Sequence, residues 1–207
     1  MDSVSDCALR ESVSNVDALL EVDVVEGGEK VKDEIVRVAA SMGENVVLRR
    51  ASIVSGDVVG SYVHAPVEKG SSCGLSAAAV GLKIDSETDL SKVQQDLEVV
   101  AKQICMHVVA ASPKFLDLNS VDEGSKSREE SILTEEVRNS GKDEKMIPRI
   151  VAGRMNKYYK ENCLMEQQFI LSEDKKDTVR KILGDHAKEL GLDSIDITSY
   201  ASLKCGE

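Results

Sequence analysis

The sequence predicts an α+β fold, in which a three-stranded antiparallel sheet packs on helices and an antiparallel helical hairpin projects from the body. Three observations predict it. Between residues 45 and 84, stretches rich in Val, Leu, Ile and Ala alternate with turn residues, as expected for antiparallel strands. A long apolar stripe of helical period follows them. Beyond residue 119, two amphipathic helical patterns are joined by a short polar loop.

Composition and charge exclude several classes of protein. The 207 residues are 42% hydrophobic and 30% charged, so neither a fully disordered chain nor a membrane-inserted one is expected. A net charge of −11 disfavours binding to nucleic-acid phosphates and favours a protein partner. The five cysteines are scattered, form no C-x-x-C pair and are odd in number, which indicates a reducing compartment.

The chain is predicted to begin with a loosely held lead segment, residues 1–28, because this stretch has no sustained period. Within it, residues 18–25 alternate enough for a short strand, which Gly27 and Gly28 would end. The first residues are acidic and lack the apolar or Arg-rich character of a targeting segment. We therefore expect that any address has been removed or was never present.

An α+β core is predicted over residues 29–118. It begins with a helix whose apolar residues recur at helical spacing up to Met42, and Gly43 follows where a C-terminal cap would end it. Three strands and a long helix come next, and Pro113 stands just past the end of that helix. The strands are predicted at 45–53, 58–64 and 74–84, and the helix at 89–111.

Residues 119–162 are predicted to form the hairpin. Its first helix has a sparse apolar stripe that includes Val137, and the polar turn 139–143 leads into the second helix. Because the turn is short, the two helices should pack antiparallel. Pro148 lies early in the second helix, where a missing N–H costs least.

The last part of the chain, residues 163–207, is predicted to return to the core. An apolar stretch precedes a helix at 177–190, and a closing alternation at 195–203 predicts a strand. No internal repeat and no low-complexity tract is visible in the sequence.

The sequence contains no evident catalytic constellation. Cys105 and His107 suggest a thiol and its base, but positions i and i+2 of a helix point to different sides. A buried Cys and a hydrogen-bonded helix-end His are therefore expected. The three histidines are far apart in sequence, and the stretch 56–60 lacks the residues of a phosphate loop. We expect no metal ion and no cofactor.

Tyr62 and His64 are candidate surface residues. They lie two apart on a predicted strand and so share one face, close to the point where Ala65 and Pro66 break the ladder. If they are exposed, each would offer a protein partner an apolar ring that ends in a hydrogen-bonding group. A Tyr buried in the layer, with His merely capping the edge, fits the pattern equally well.

Several motifs in one order resemble translation elongation factor Ts. Residues 43–50 (G-E-N-V-V-L-R-R) and 56–64 (G-D-V-V-G-S-Y-V-H) are similar to the family's G-E-N-x-x-x-R-R and V-G-S-Y-x-H. Three further stretches are similar to its M-H-V-A-A-x-x-P-x-F, V-E-G-R-M and L-x-x-Q-P-F-V. They are residues 106–115 (M-H-V-V-A-A-S-P-K-F), 151–155 (V-A-G-R-M) and 164–170 (L-M-E-Q-Q-F-I). An ordered series is far more specific than any single motif.

The resemblance implies a guanine-nucleotide exchange factor that binds elongation factor Tu and promotes GDP release without catalysing a reaction. Carried over by position, Met42 and Gly43 would contact the GTPase domain of that partner. His64 would contact the partner's third domain, with Tyr62 supporting it. The resemblance implies no direct contact with nucleic acid or with a membrane.

One family motif is absent from the sequence. Residues 1–30 contain no T-D-F-V, whose Asp and Phe in the family wedge into the partner near its magnesium site and loosen the nucleotide's β-phosphate. Exchange is therefore expected to be weakened. The alternative is an interaction module that docks on elongation factor Tu or a larger assembly without exchange, and a thiol enzyme centred on Cys105 ranks third.

Two details of the sequence bear on the compartment. Residues 164–167 and the insert between Gly70 and Gly74 resemble organelle forms of the family more than bacterial ones. We therefore expect a mitochondrion, with a plastid or the bacterial cytoplasm as alternatives.

Overall fold

The protein has the predicted α+β architecture. The computed structural model describes residues 2–69, 71–85, 90–172 and 176–207. Within this described part, seven α-helices and three strands form, and no helix is long and apolar enough to cross a membrane. The helices are α1 (Asp2–Glu11), α2 (Val16–Leu20), α3 (Val31–Met42), α4 (Gln94–Ala111), α5 (Glu123–Asn139), α6 (Ile147–Asn162) and α7 (Val179–Glu189). The strands are β1 (Val58–Pro66), β2 (Gly74–Asp85) and β3 (Ser194–Lys204).

The sheet has the order β1–β2–β3, and both pairings are antiparallel. Its register places His64 of β1 opposite Ser76 of β2. Helix α4 packs on β1 at Gly60, where an added Cβ would lie only 2.5 Å from the Cβ of Ala101. Because strand residues two apart share a face, Gly60, Tyr62 and His64 are all on the side of the sheet that α4 covers.

The main core lies between this face of the sheet and helices α4 and α7. Full burial of a Leu or Ile side chain is worth roughly 1.5–3 kcal/mol, so these large side chains dominate the stability of the layer. The largest aliphatic side chains that are fully buried in it are Leu82, Leu97, Ile104, Leu164 and Leu183.

A second, smaller cluster holds the N-terminal helices together. Cys7 of α1, Leu19 of α2 and Val31 of α3 are buried in it. The side chain of Asn15 caps α2 by accepting a backbone hydrogen bond at 3.0 Å. The lead segment, expected to be loosely held, is thus helical and packed where the structure describes it. The strand predicted at residues 18–25 does not form as such: residues 18–20 belong to α2, which the Asn15 cap and the burial of Leu19 stabilise, and Asp23 forms an isolated antiparallel bridge with Lys30.

The strand predicted at residues 45–53 is also wrong. The segment joins no ladder, and none of its backbone groups hydrogen-bonds to another backbone group of the described chain. Its apolar residues serve another purpose, since Leu48 and Ala51 pack against the N-terminal cluster. The third strand of the sheet is instead β3, which the alternation at 195–203 predicts correctly.

The other predicted elements of the core are confirmed. Helix α3 ends at Met42, and β1 and β2 match the strands predicted at 58–64 and 74–84. Helix α4 begins at Gln94, after a single turn of 3₁₀ helix. The predicted helix start at Asp89 and the first residue of the predicted insert, Gly70, lie outside the described residues.

The predicted hairpin is formed by α5 and α6, which pack against each other. Arg154 of α6 reaches Glu136 of α5 at 2.8 Å, and Val137 and Met155 are buried. Pro148 is in the first turn of α6, where it removes no helical hydrogen bond. The division of the chain into a lead segment, core, hairpin and return stays a prediction.

We expect the close approach at Gly60 to tolerate no side chain. In Gly60→Ala, the new Cβ would meet both the Cβ and the carbonyl carbon of Ala101, so we expect a loss of about 1–3 kcal/mol in the free energy of unfolding. Chemical denaturation measures this loss. Gly184→Ala in α7 is the matched control, because its Cβ would meet nothing within 4 Å and alanine favours a helix by up to about 1 kcal/mol. Equal stability of the two variants would contradict this packing.

Candidate functional site

The end of β1 brings two of the candidate residues together. The hydroxyl oxygen of Tyr62 and Nδ1 of His64 are 3.2 Å apart, and the two ring centroids are 6.1 Å apart. Tyr62 is half-buried and packs against the main core, whereas His64 is exposed. The structure lies between the two alternatives left open by the sequence: His64 is accessible, as in the first, whereas Tyr62 packs partly into the layer, as in the second. The tyrosine, partly held by the core, fixes the position of an accessible imidazole.

The exposure of His64 follows from how far α4 extends over β1. Along the strand, Val58 and Gly60 are buried, Tyr62 is half-buried and His64 is exposed. All four lie on the same face, so the gradient shows that the strand runs beyond the helix layer. Its last residues on this face therefore reach solvent.

Two further residues shape this end of β1, and neither is a candidate from the sequence. Ala65 has a positive φ of 48°, and a Cβ added at Gly74 of β2 would lie 2.5 Å from the carbonyl oxygen of His64. The sequence gives only a weak signal for them, namely that Ala65 precedes a proline and that a glycine stands at the start of the next strand.

Met42 and Gly43 form the second candidate position, at the C-terminal end of α3. Gly43 has a φ of 70°, and its N–H donates to the carbonyl oxygen of Ala39 at 2.9 Å. Met42 is 62% exposed. A Cβ at Gly43 would meet nothing within 4 Å, so this helix end leaves its backbone open to solvent.

The two candidate positions lie on different packing units. Met42 ends a helix of the N-terminal cluster, whereas Tyr62 packs on the main core. No hydrogen bond, ion pair or ring contact of the described residues joins one pair to the other. The structure therefore brings Tyr62 and His64 together and leaves Met42 and Gly43 as a separate position.

The segment 44–57 connects the two positions and is fixed to β3. The guanidinium of Arg50 donates to the carbonyl oxygens of Lys204 and Glu207 at 3.1 and 3.2 Å. Thr198 Oγ1 donates to the carbonyl oxygen of Ser55 at 2.9 Å. These contacts tie the segment to β3 at two points, and the N–H of Asp57 donates to the carbonyl oxygen of Leu82 in β2 at 2.8 Å.

Asp57 fixes the start of β1. Its Oδ2 accepts a hydrogen bond from the N–H of Ile84 at 2.9 Å and lies 3.1 Å from Nζ of Lys83. The hydrogen bond from Ile84, together with Lys83, lowers the pKa of Asp57. The carboxylate therefore joins β1 to β2, in agreement with a turn role for the glycine-rich stretch around it.

Cys105 and His107 do not form a catalytic pair. Burial raises the pKa of Cys105 to about 12, so its thiol stays protonated. His107 is fully buried and has other partners: its Nδ1 accepts from the N–H of Ile170 at 3.3 Å, and its Nε2 lies 3.0 Å from Oε1 of Gln167. These bonds define a neutral imidazole that donates through Nε2. This geometry gives no support to the thiol-enzyme interpretation.

The accessible groups of the two candidate positions share one chemical character. Among the described residues, no group of three or more His, Cys, Asp or Glu side chains could hold a metal ion. The accessible features are an exposed imidazole, an exposed thioether and an open helix end, which suit contact with another macromolecule. These features are of the kind found at protein contact surfaces.

Comparison with known proteins identifies the family. The model of the family Elongation factor TS matches residues 1–207, and the chain belongs to that family. An elongation factor Ts of Magnetococcus marinus is 35% identical over 208 residues and matches all of the chain. Those of Clostridium acetobutylicum and Paramagnetospirillum magneticum are 31% and 38% identical and match 100% and 86% of it. The family resemblance seen in the motifs is thus confirmed.

The same relatives are longer than this chain. The chain spans 63% of the length of the Magnetococcus and Clostridium acetobutylicum proteins, and its match covers 54% of the Paramagnetospirillum protein. All three come from bacteria.

The burial of His107 predicts a pH dependence of stability. Because burial lowers the pKa of His107 in the folded state, the unfolded chain binds the proton more readily. The resulting stability should be complete above the ordinary pKa of 6.5 and should be lost as the pH falls below it. We expect the free energy of unfolding of the native chain to fall more steeply than that of His107→Gln over this range. Parallel slopes in urea titrations at several pH values would contradict it.

Proposed function

We propose that the chain binds elongation factor Tu and promotes GDP release, acting as a guanine-nucleotide exchange factor by binding alone. The observation that carries the proposal is the exposed imidazole of His64 held by Tyr62 at the end of β1. This is the position at which the family resemblance implies a contact with the third domain of elongation factor Tu. Membership of the elongation factor Ts family supports both the partner and the activity.

Exchange of this kind needs no chemical catalyst. A factor that binds the nucleotide-free partner more tightly than the GDP-bound partner weakens GDP binding by the same coupling free energy. The binding surface must therefore distinguish two arrangements of the partner, since equal affinity for both shifts nothing. Two separate contact positions provide such a distinction, because only one arrangement of the partner's domains meets both.

The chemistry of each position suits its proposed contact. Met42 presents a flexible thioether that adapts to irregular apolar surfaces. Gly43 has no side chain and open space around its Cα, so a group of the partner can approach the backbone closely. His64 offers an apolar ring with a hydrogen-bonding tip, and its Nε2 is left for the partner because Nδ1 faces Tyr62.

His64→Ala tests the contact at the end of β1. If His64 binds the partner, we expect weaker association with nucleotide-free elongation factor Tu, while the free energy of unfolding changes by no more than about 0.5 kcal/mol, as is usual for exposed positions. Isothermal titration calorimetry and urea denaturation measure the two quantities. His186→Ala, which removes a histidine from α7, is the matched control. Unchanged affinity of His64→Ala would refute the contact.

The missing T-D-F-V motif predicts weak exchange by this chain. Without that wedge, we expect binding to persist while GDP release is accelerated much less than by a relative that carries the motif. Release of fluorescent GDP from elongation factor Tu, with this chain in excess, measures the effect. Stimulation as large as that by a relative that carries the motif would show that the wedge is not required.

A second candidate is an interaction module that docks on elongation factor Tu, or on a larger assembly, without promoting exchange. The absence of T-D-F-V from residues 1–30 favours it. The GDP-release assay distinguishes the two functions, since the module would bind the partner and leave the release rate unchanged.

The compartment stays a prediction. The mitochondrial expectation depends on the similarity of residues 164–167 and of the insert between Gly70 and Gly74 to organelle forms, whereas the relatives reported above are bacterial. We keep the mitochondrion as the proposed compartment and the bacterial cytoplasm as its main alternative. Fractionation of the source organism, followed by immunodetection of the protein, decides between them.

A further inference from the structure

The backbone at the end of β1 has an unusual conformation directly beside His64. Ala65 has a φ of 48°, in the left-handed region that residues with a Cβ rarely adopt. The next residue, Pro66, fixes its own φ and restricts Ala65 further. The register of β1 and β2 passes over Ala65, but both of its neighbours are paired: His64 lies opposite Ser76 and Pro66 opposite Gly74. The ladder on both sides therefore holds a conformation that the residue itself disfavours.

The neighbouring strand accommodates this bend through a glycine. A Cβ at Gly74 would lie 2.5 Å from the carbonyl oxygen of His64, 2.6 Å from Cγ1 of Val63 and 3.1 Å from the carbonyl oxygen of Ala65. Two of these atoms belong to backbone and cannot rotate away. Any side chain at position 74 would therefore push the end of β1 from its present place.

These two features converge on the same residue. The bend follows His64 immediately, and the close approach of Gly74 is to the His64 carbonyl. The side chain of His64 is in turn held 3.2 Å from the Tyr62 hydroxyl. Strained backbone that the surrounding structure maintains is frequently associated with a functional position.

We propose that Ala65 and Gly74 are positioning residues that direct the His64 imidazole toward the protein partner. The inference rests on the proposed function, because it holds that the backbone conformation at Ala65 orients His64, the proposed contact residue. Ala65 and Gly74 themselves need not touch the partner. Their effect is to set the direction in which β1 leaves the sheet and hence where the imidazole lies relative to Tyr62.

Substitutions at both positions test the inference. Ala65→Val places a β-branched residue at a positive φ, which should straighten the bend although the side chain is exposed. Gly74→Ala should displace the His64 backbone by steric contact. For each variant we expect a changed NMR chemical shift of His64 Cε1–H in the free protein. We also expect about tenfold weaker binding to nucleotide-free elongation factor Tu, similar to His64→Ala.

Two further variants serve as controls. Ala65→Gly removes the Cβ but allows the left-handed conformation, so it should restore both the native chemical shift and the affinity that Ala65→Val loses. Gly184→Ala tests a glycine with open space around it, far in sequence from the site, and should leave both readouts unchanged. If Gly74→Ala does not fold, the Ala65 pair still decides the question, because that side chain is exposed.

The outcomes separate the inference from the proposed function. An Ala65→Val protein that is folded, with the native His64 chemical shift or with native affinity, overturns the inference if His64→Ala weakens binding. Native affinity of His64→Ala overturns the proposed contact instead, and the chemical shifts then decide alone whether Ala65 and Gly74 position the ring.

Discussion

The close approach of α4 to β1 at Gly60 is the constraint on which the rest of the arrangement depends. A bare Cα lets the helix backbone come within contact distance of the strand, and this fixes which face of β1 is covered. Since strand residues alternate between faces, and Gly60 is on the face toward α4, Tyr62 and His64 are on that face as well. The main core then buries part of Tyr62, and the strand continues past the helix to expose His64.

The second candidate position depends on a different set of contacts. Met42 and Gly43 end a helix that packs in the small N-terminal cluster, and residues 44–57 carry the chain from there to β1. Arg50 and Asp57 hold this connection, the first to carbonyl oxygens near the C-terminus and the second to the N–H of Ile84. These contacts hold the segment beside the sheet, although residues 45–53 make no backbone hydrogen bond to another described residue.

The sequence predicted the elements that have a sustained period and missed those that depend on tertiary contacts. The long stripe of α4 and the alternation of β3 were sufficient for correct predictions. Helix α2 has only five residues, and its stability comes from the Asn15 cap and from Leu19. In residues 45–53, a strand-like composition reflects packing of Leu48 on the N-terminal cluster, which a periodicity argument cannot distinguish from a ladder. The same holds for the candidate site. The shared face of Tyr62 and His64 follows from the period of a strand and was predictable, whereas the positive φ of Ala65 depends on tertiary contacts and was not.

Binding without catalysis places a particular demand on such a surface. If one contact position meets the GTPase domain and the other meets the third domain, discrimination between partner conformations depends on how firmly the two positions are held relative to each other. A loose connection would follow the partner's domains as they move, so both conformations would be bound equally well and GDP affinity would not change. The hydrogen bonds of Arg50 and Thr198, which attach residues 44–57 to β3, are therefore as relevant to the proposed exchange as the contact residues themselves. A rigid connection turns two modest contacts into a preference for one arrangement of the partner.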